Sequence, residues 1–396
     1  MKLLHQLGHK YNWALDAFFQ NKIGDGFIIS AYSIDKEKIG KKLSGYEADA
    51  YLPLSLIDLQ FYGSKESQGG KLNSYEFHPI NYTGKESTDV STVDAVVAGV
   101  KYQQGLGLSN ILVPNIYIHP ESKGKKSRLI GEINEKIKEK KLKGINYFIT
   151  IPISGSSIRD DEEIEQLLQE MTDMDIVFDG YYIVCEPNLE TRKKISVDFK
   201  YYLNLNKILM TLKRQGFKVV LGFSNVDSLI FSTMSDLDFV SIGTYENLRN
   251  FNIKRFTVNE GGGPSDGWYY SEKLLNFIRA RQLEILRERG VLDLIKNEDN
   301  IFSDVILKEG YAWNTHKPDV HKNYLLAISK QLKIIGDIPH GEARIAHTLK
   351  LIEGARDIYK KLEEKGVFFD DDSSNYHLPT WLSVLKTPNL GVLSGK

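Results

Sequence analysis

The chain has one cysteine, Cys185, in 396 residues. A lone thiol excludes an intramolecular disulfide framework and any zinc site built from several cysteines. Net charge is equally scarce: 51 Lys and Arg against 52 Asp and Glu leave −1. There is therefore no global basic field, and any polyanion site has to come from local clustering. No run of 18 apolar residues occurs, and MKLLHQLGHKYNW lacks a signal-peptide core with a small-residue cleavage site. These absences predict a soluble protein of the reducing cytoplasm. There is no P-loop and no G-x-G-x-x-G, and the glycines at 261–263 lack the strand and helix that phosphate cradling requires. Histidines are badly placed for a metal: His316 and His321 flank a proline, and His5 and His9, four apart on a possible helix, lack a third ligand. No catalytic metal and no cofactor are expected.

What is present is a hydrophobic content of 41%, enough for a full core, and a length that suits one large domain plus an appendage. Short apolar runs at 27–32, 51–57, 111–118, 147–153, 180–185, 218–223 and 238–244 are rich in β-branched and aromatic residues. They read as buried parallel strands. Helical patterns separate them, at about 89–104, 129–141, 161–171, 197–215 and 226–234. Repeated βα units of this kind predict an α/β fold, a (β/α)8 TIM-type barrel over residues 1–290. Arg255–Asn259 is the best candidate for the eighth strand. Helical patterns at 271–289, 321–335 and 341–365 follow, the first able to close the barrel. Residues 291–396 read as a mainly helical C-terminal extension.

In a parallel barrel the site lies where the strands end, because the βα loops converge there. Asp58 ends an almost wholly apolar run, so its carboxylate is expected in a partly dry setting, where it interacts strongly with developing positive charge. A turn-capping role is the competing account. Glu186, in IVCEPN, is the second such carboxylate, with pairing to a rim cation as its alternative. Asp35 and Asp227 read as helix N-caps. Gln60, Tyr62, Asn115, Asn188, Asn225, Ser241 and Tyr245 also sit at strand ends and are candidate substrate contacts. Cations gather in SKGKKSR, with Lys123, Lys125, Lys126 and Arg128, and again at Arg249, Lys254 and Arg255. Two basic segments on one rim of a neutral protein suggest a polyanion across the barrel mouth, with nearby aromatics to stack a base.

One stretch adds a family likeness. Leu-Gly-Phe-Ser-Asn-Val-Asp-Ser-Leu from Leu221 leads through a short helix to Asp-Leu-Asp-Phe-Val-Ser-Ile-Gly-Thr-Tyr-Glu-Asn-Leu-Arg, ending at Arg249. This order resembles the late barrel of tRNA-guanine transglycosylases, where the second strand carries a nucleophilic aspartate. Asp58-Leu59-Gln60-Phe61-Tyr62 is similar to that family's other active-site aspartate strand. The likeness spans residues 25 to 290, with two departures. Ser241 stands at or near the nucleophile position, and the family's zinc cluster is missing.

The chain therefore looks closer to DNA-acting relatives, the 7-deazaguanine DNA transglycosylases and base-excising phage-defence glycosylases. The resemblance implies excision of a modified base from DNA. Asp58 would meet a cationic sugar or activate water, and Glu186, Asn188, Asn225 and Gln60 would hydrogen-bond the extruded base. Tyr245 or Tyr62 would stack on that base. Base exchange on DNA or tRNA is the nearest alternative. A flavin monooxygenase, a sugar hydrolase using Asp58 and Glu186, and a non-catalytic DNA-binding barrel are the others.

Overall fold

A computed structural model describes residues 1–63, 70–81, 89–117, 125–256 and 267–387, with the backbone alone at 89–91 and 125–128. Eight strands form one parallel sheet: β1 (Lys2–Gln6), β2 (Gly26–Ser30), β3 (Ser55–Asp58), β4 (Asn110–Val113), β5 (Asn146–Ile153), β6 (Gly180–Cys185), β7 (Lys218–Ser224) and β8 (Phe239–Gly243). The sheet curls round so that β1 pairs with β8, Lys2 opposite Phe239 and Gln6 opposite Gly243. β3 and β4 lie side by side without a ladder, which leaves the barrel nearly closed. The fold is the expected α/β barrel of TIM type.

Alternation along each strand builds it. Leu4, Ile28, Leu56, Leu112, Phe148, Tyr182 and Val220 fill the interior. Their neighbours Leu3, Phe27, Ile57, Ile111, Tyr147, Tyr181 and Val219 belong to the larger core shared with the helices. Each such side chain contributes about 1.5–3 kcal/mol by leaving water. The outer layer includes α1 (Asn12–Phe19), α2 (Asp89–Gly105), α3 (Lys125–Lys138), α4 (Asp161–Met171), α5 (Phe199–Arg214) and α6 (Ser228–Met234). Asp160 and Asp198 cap α4 and α5 by accepting two backbone N–H groups each.

Arg255–Asn259 is not the eighth strand. Ile253–Phe256 is a 3-10 turn, and residues 257–259 lie outside the described residues. The missing strand is β1, which also takes His5 off any helix. Five residues buried on both faces carry too short a pattern to distinguish strand from helix. The helix expected over 271–289 is half hairpin: β9 (Trp268–Ser271) pairs antiparallel with β10 (Asn276–Arg279), and only α7 (Ala280–Glu288) is helical.

Further helices are α8 (Ile301–Ile306), α9 (Pro318–Asp337), α10 (Glu342–Glu364) and α11 (Leu378–Lys386). α9 packs against β1, α1 and α6, on the barrel wall. α10 is tied to α6, with the Thr348 and Thr233 hydroxyls 2.7 Å apart and Arg344 Nη1 donating to the Ser232 carbonyl at 3.0 Å. Trp381 on α11 donates to Tyr202 on α5 at 2.8 Å. Among the described residues, no helix is long and apolar enough to cross a membrane.

The end of β8 has room for hydrogen only. A Cβ on Gly243 would lie 2.1 Å from Leu248 Cβ and 2.7 Å from its carbonyl oxygen. Gly243→Ala is expected to cost about 2–3 kcal/mol, read as a lower urea midpoint. A midpoint equal to wild type would mean the turn after β8 shifts freely.

Candidate active site

β3 runs from Ser55 to Asp58 and then breaks sharply. Gln60 adopts φ +55, a left-handed conformation that strains a side chain with a Cβ. The turn leaves Asp58 inside the barrel mouth, 1% exposed. Its Oδ1 accepts from the Gln60 backbone N–H at 3.0 Å. Its Oδ2 accepts from the Tyr62 hydroxyl at 2.6 Å and lies 3.2 Å from that of Tyr182. Burial pushes the Asp58 carboxyl up to about 6, although the Tyr62 hydroxyl, the Gln60 N–H, the Tyr182 hydroxyl and the charge of Arg255 all pull the other way. Both phenols are held well above their ordinary range by burial and then by Asp58.

Around this carboxylate runs a layer of buried polar groups. Gln60 Oε1 accepts from the Ser30 hydroxyl at 2.7 Å and the Tyr32 N–H at 2.8 Å. Across the mouth, the Ser241 hydroxyl donates to Gln6 Oε1 at 3.0 Å and accepts the Phe223 N–H at 3.0 Å. Phe223 has φ +50, and the β7–β8 register shifts beside it. The hydroxyl in β8 thus takes up an amide that this irregularity turns away from the ladder. Gln6 Nε2 and Gln60 Nε2 are buried and have no hydrogen-bond partner, which costs on the order of 1–3 kcal/mol each. Phe251 and Phe256 pack edge-on against Tyr62, with ring centroids 5.1 and 5.0 Å away, and roof the layer.

The other expected residues divide. Glu186, after β6, accepts from the Tyr117 hydroxyl, the Gly155 N–H and the Ile253 N–H at 3.2, 3.0 and 2.7 Å. No rim cation pairs with it among the described residues. Its carboxylate instead ties the β4, β5 and β6 loops to the segment after β8. Asn188 donates to the Gly155 carbonyl and to Asp198. Asn115 Oδ1 accepts the Ile116 N–H, away from Asp58 in a narrow cleft lined by Ile130 and Ile164. Arg255 is half-buried, donates to the Asn247 carbonyl at 2.6 Å, and interacts electrostatically with Asp58. Lys254 is exposed. Lys123 lies outside the described residues, and Lys125, Lys126 and Arg128 fall in the first turns of α3. Asp35 and Asp227 occupy N-cap positions without a side-chain cap bond. Asp227 accepts from the Asn225 N–H and the Tyr201 hydroxyl, and burial raises it to about 6.

Asn225, Tyr245 and Arg249 come together elsewhere, in a cavity of about 230 Å³ between the β7 and β8 loops, β9–β10 and α9. The basic segment after β8 is therefore not one surface patch: Arg249 turns into this cavity and Arg255 toward Asp58. Among the described residues, no three His, Cys, Asp or Glu side chains converge as metal ligands.

Sequence reasoning missed Gln6, Ser30 and Tyr182, all inside strands rather than after them. The one signal was a polar side chain at an inward position of an apolar run. No family model matches this chain, and no curated protein matches it in sequence.

A carboxyl raised in the folded state stabilises below its unfolded pKa and loses that contribution as pH climbs through the folded one. For Asp58 the window runs from about 4 to about 6, and the loss amounts to about 3 kcal/mol. Asp58→Asn is expected to be about 1–3 kcal/mol more stable than wild type at pH 8. The advantage vanishes by pH 4, as measured by paired urea titrations. Asp227 contributes equally to both proteins and cancels. A variant less stable than wild type at pH 8 would contradict the buried, uncompensated charge.

Proposed function

We propose that this barrel cleaves the N-glycosidic bond of a modified, phage-type base in DNA and leaves an abasic site. The observation that carries this reading is Asp58: a carboxylate inside the barrel mouth, raised by burial to about 6, with two unpartnered amides in the same layer. As the base departs with the bonding electron pair, its sugar becomes an oxocarbenium-like cation. An ionised carboxylate in a low-dielectric site stabilises that charge far better than water does. Water then bonds to the anomeric carbon and gives its proton to Asp58, whose pKa suits a base at neutral pH. The Tyr62 and Tyr182 hydroxyls fix the carboxylate, and the buried Gln6 and Gln60 amides would donate to base or sugar oxygens once the site opens.

The state of Ser241 favours hydrolysis over base exchange. Exchange through a covalent sugar would need a carboxylate at or near Ser241 if the resemblance to transglycosylases holds, and the donor and acceptor roles of this hydroxyl are taken by Gln6 and Phe223. Entry of an extruded nucleotide requires Phe251 and Phe256 to move aside, since they lie against Tyr62. Lys254, beyond β8, and Lys125, Lys126 and Arg128, in the first turns of α3, would then hold backbone phosphates. Glu186 and Asn188, beyond β6, are engaged by the neighbouring loops and would serve by positioning those loops around the base.

The test is to incubate the protein with genomic DNAs, hypermodified phage DNA included, and to identify released bases by mass spectrometry. Wild type should release one modified base at a rate that rises as pH passes about 6, because the ionised form of Asp58 is required. Asp58→Asn should lose about 100-fold or more. Undiminished release by the variant removes Asp58 from the chemistry, and no release from any DNA rejects the reading.

A further inference from the structure

Arg249 is a buried cation with no carboxylate in ion-pair distance among the described residues. It is 8% exposed. Its Nε donates to the Gly243 carbonyl at 2.9 Å, one Nη2 hydrogen goes to the Thr244 carbonyl, and its guanidinium lies 3.7 Å from the Tyr324 ring centroid. A guanidinium has five N–H donors, so three remain, two of them on the edge shared by Nη1 and Nη2. That edge is the fork that matches a carboxylate or phosphate. The nearest acidic lining residue, Glu246, is engaged by Lys194. The lining side chains thus carry one positive charge in excess. Burial and the Arg249 charge lower His321 to about 4, so it adds none at neutral pH.

The rest of the cavity wall is built for a ring-sized body. Phe277, Tyr245 and Tyr324 add aromatic carbon to the wall, Tyr324 with Arg249 over its ring and Tyr245 stacked on Trp13, and Asn225 Oδ1, Tyr245 Oη and Tyr324 Oη are buried without partners. Unpaired acceptors and hydroxyls beside an uncompensated cation carry a cost that a bound polar ligand would relieve. The volume exceeds what a bare oxyanion needs. We infer that this cavity binds a small organic oxyanion, a carboxylate or phosphate ester on a hydroxylated or aromatic ring, with its charged end on the Nη1–Nη2 edge of Arg249. The site does not rest on the chemistry of Asp58. The turn that joins Arg249 to Phe251 links it to the barrel mouth.

Isothermal titration with ribose 5-phosphate, benzoate and inorganic phosphate tests this. Wild type should bind ribose 5-phosphate or benzoate at one site with Kd below about 1 mM, and more weakly as salt rises. Arg249→Met should weaken that binding about tenfold or more. Val320→Phe fills the cavity from α9 while sparing Arg249, and should abolish binding with the circular dichroism spectrum unchanged. A crystal of wild type soaked with the tighter probe should place its oxyanion on Arg249. Three results overturn the inference: no saturable binding of either organic probe, binding that survives a folded Val320→Phe, or an oxyanion seated elsewhere. Inorganic phosphate binding as tightly as ribose 5-phosphate would also defeat it, since the ring would then contribute nothing.

Discussion

A negative charge held inside the barrel without an adjacent cation is what the architecture of the mouth answers to. Asp58 is buried, and three hydrogen-bond donors stand where a salt bridge would be expected. Buried charge is costly unless it is paired and hydrogen-bonded. Here the donors come from Tyr62 and Gln60, a turn beyond β3, and from Tyr182, across the barrel on β6. Arg255 contributes from a distance. The cost is lowered without being cancelled, which is why the carboxyl stays protonatable near neutral pH. A closer cation would stabilise the fold more and leave the group inert as a base.

The segment after β8 joins the two regions of interest. Within eight residues it places Arg249 in the rim cavity, Phe251 on Tyr62, the Ile253 N–H on Glu186 and Arg255 toward Asp58. Few other stretches of the chain touch so many of the polar groups at the mouth. Leu248 anchors it, seated against Gly8 and Gly243 where no larger residues fit. A displacement of this turn alters the roof over Asp58 and the surroundings of Arg249 together.

Much of the fold was legible in the sequence because seven of the eight strands are apolar runs flanked by helical periodicity. β1 escaped because KLLHQ is short and ends in two polar residues, one of which, Gln6, belongs to the interior network. Asp58 was legible for a physical reason: a carboxylate ending a run of apolar residues has nowhere to go but the mouth. The partners of Asp58 were not. Tyr182 lies inside GYYIVC, and nothing local marks its hydroxyl as facing a carboxylate donated by another strand. Arg249 was read as a surface cation because sequence does not reveal that two carbonyls of its own turn would draw it inward. The hydroxyl of Ser241 answers to a positive φ at Phe223, a backbone feature with no side-chain signature.

The seam between β1 and β8 has a kinetic meaning. Lys2 is synthesised well before its partner Phe239, which arrives only after most of the barrel has been made. Until then β1 has a single neighbour, β2, and its outer surface lacks α9, which comes later still. Closure is therefore a late, non-local event with a large loop-entropy barrier. A ring that shuts last at its own first strand exposes an unpaired edge throughout synthesis, the interval in which chaperone capture and misassembly compete with folding.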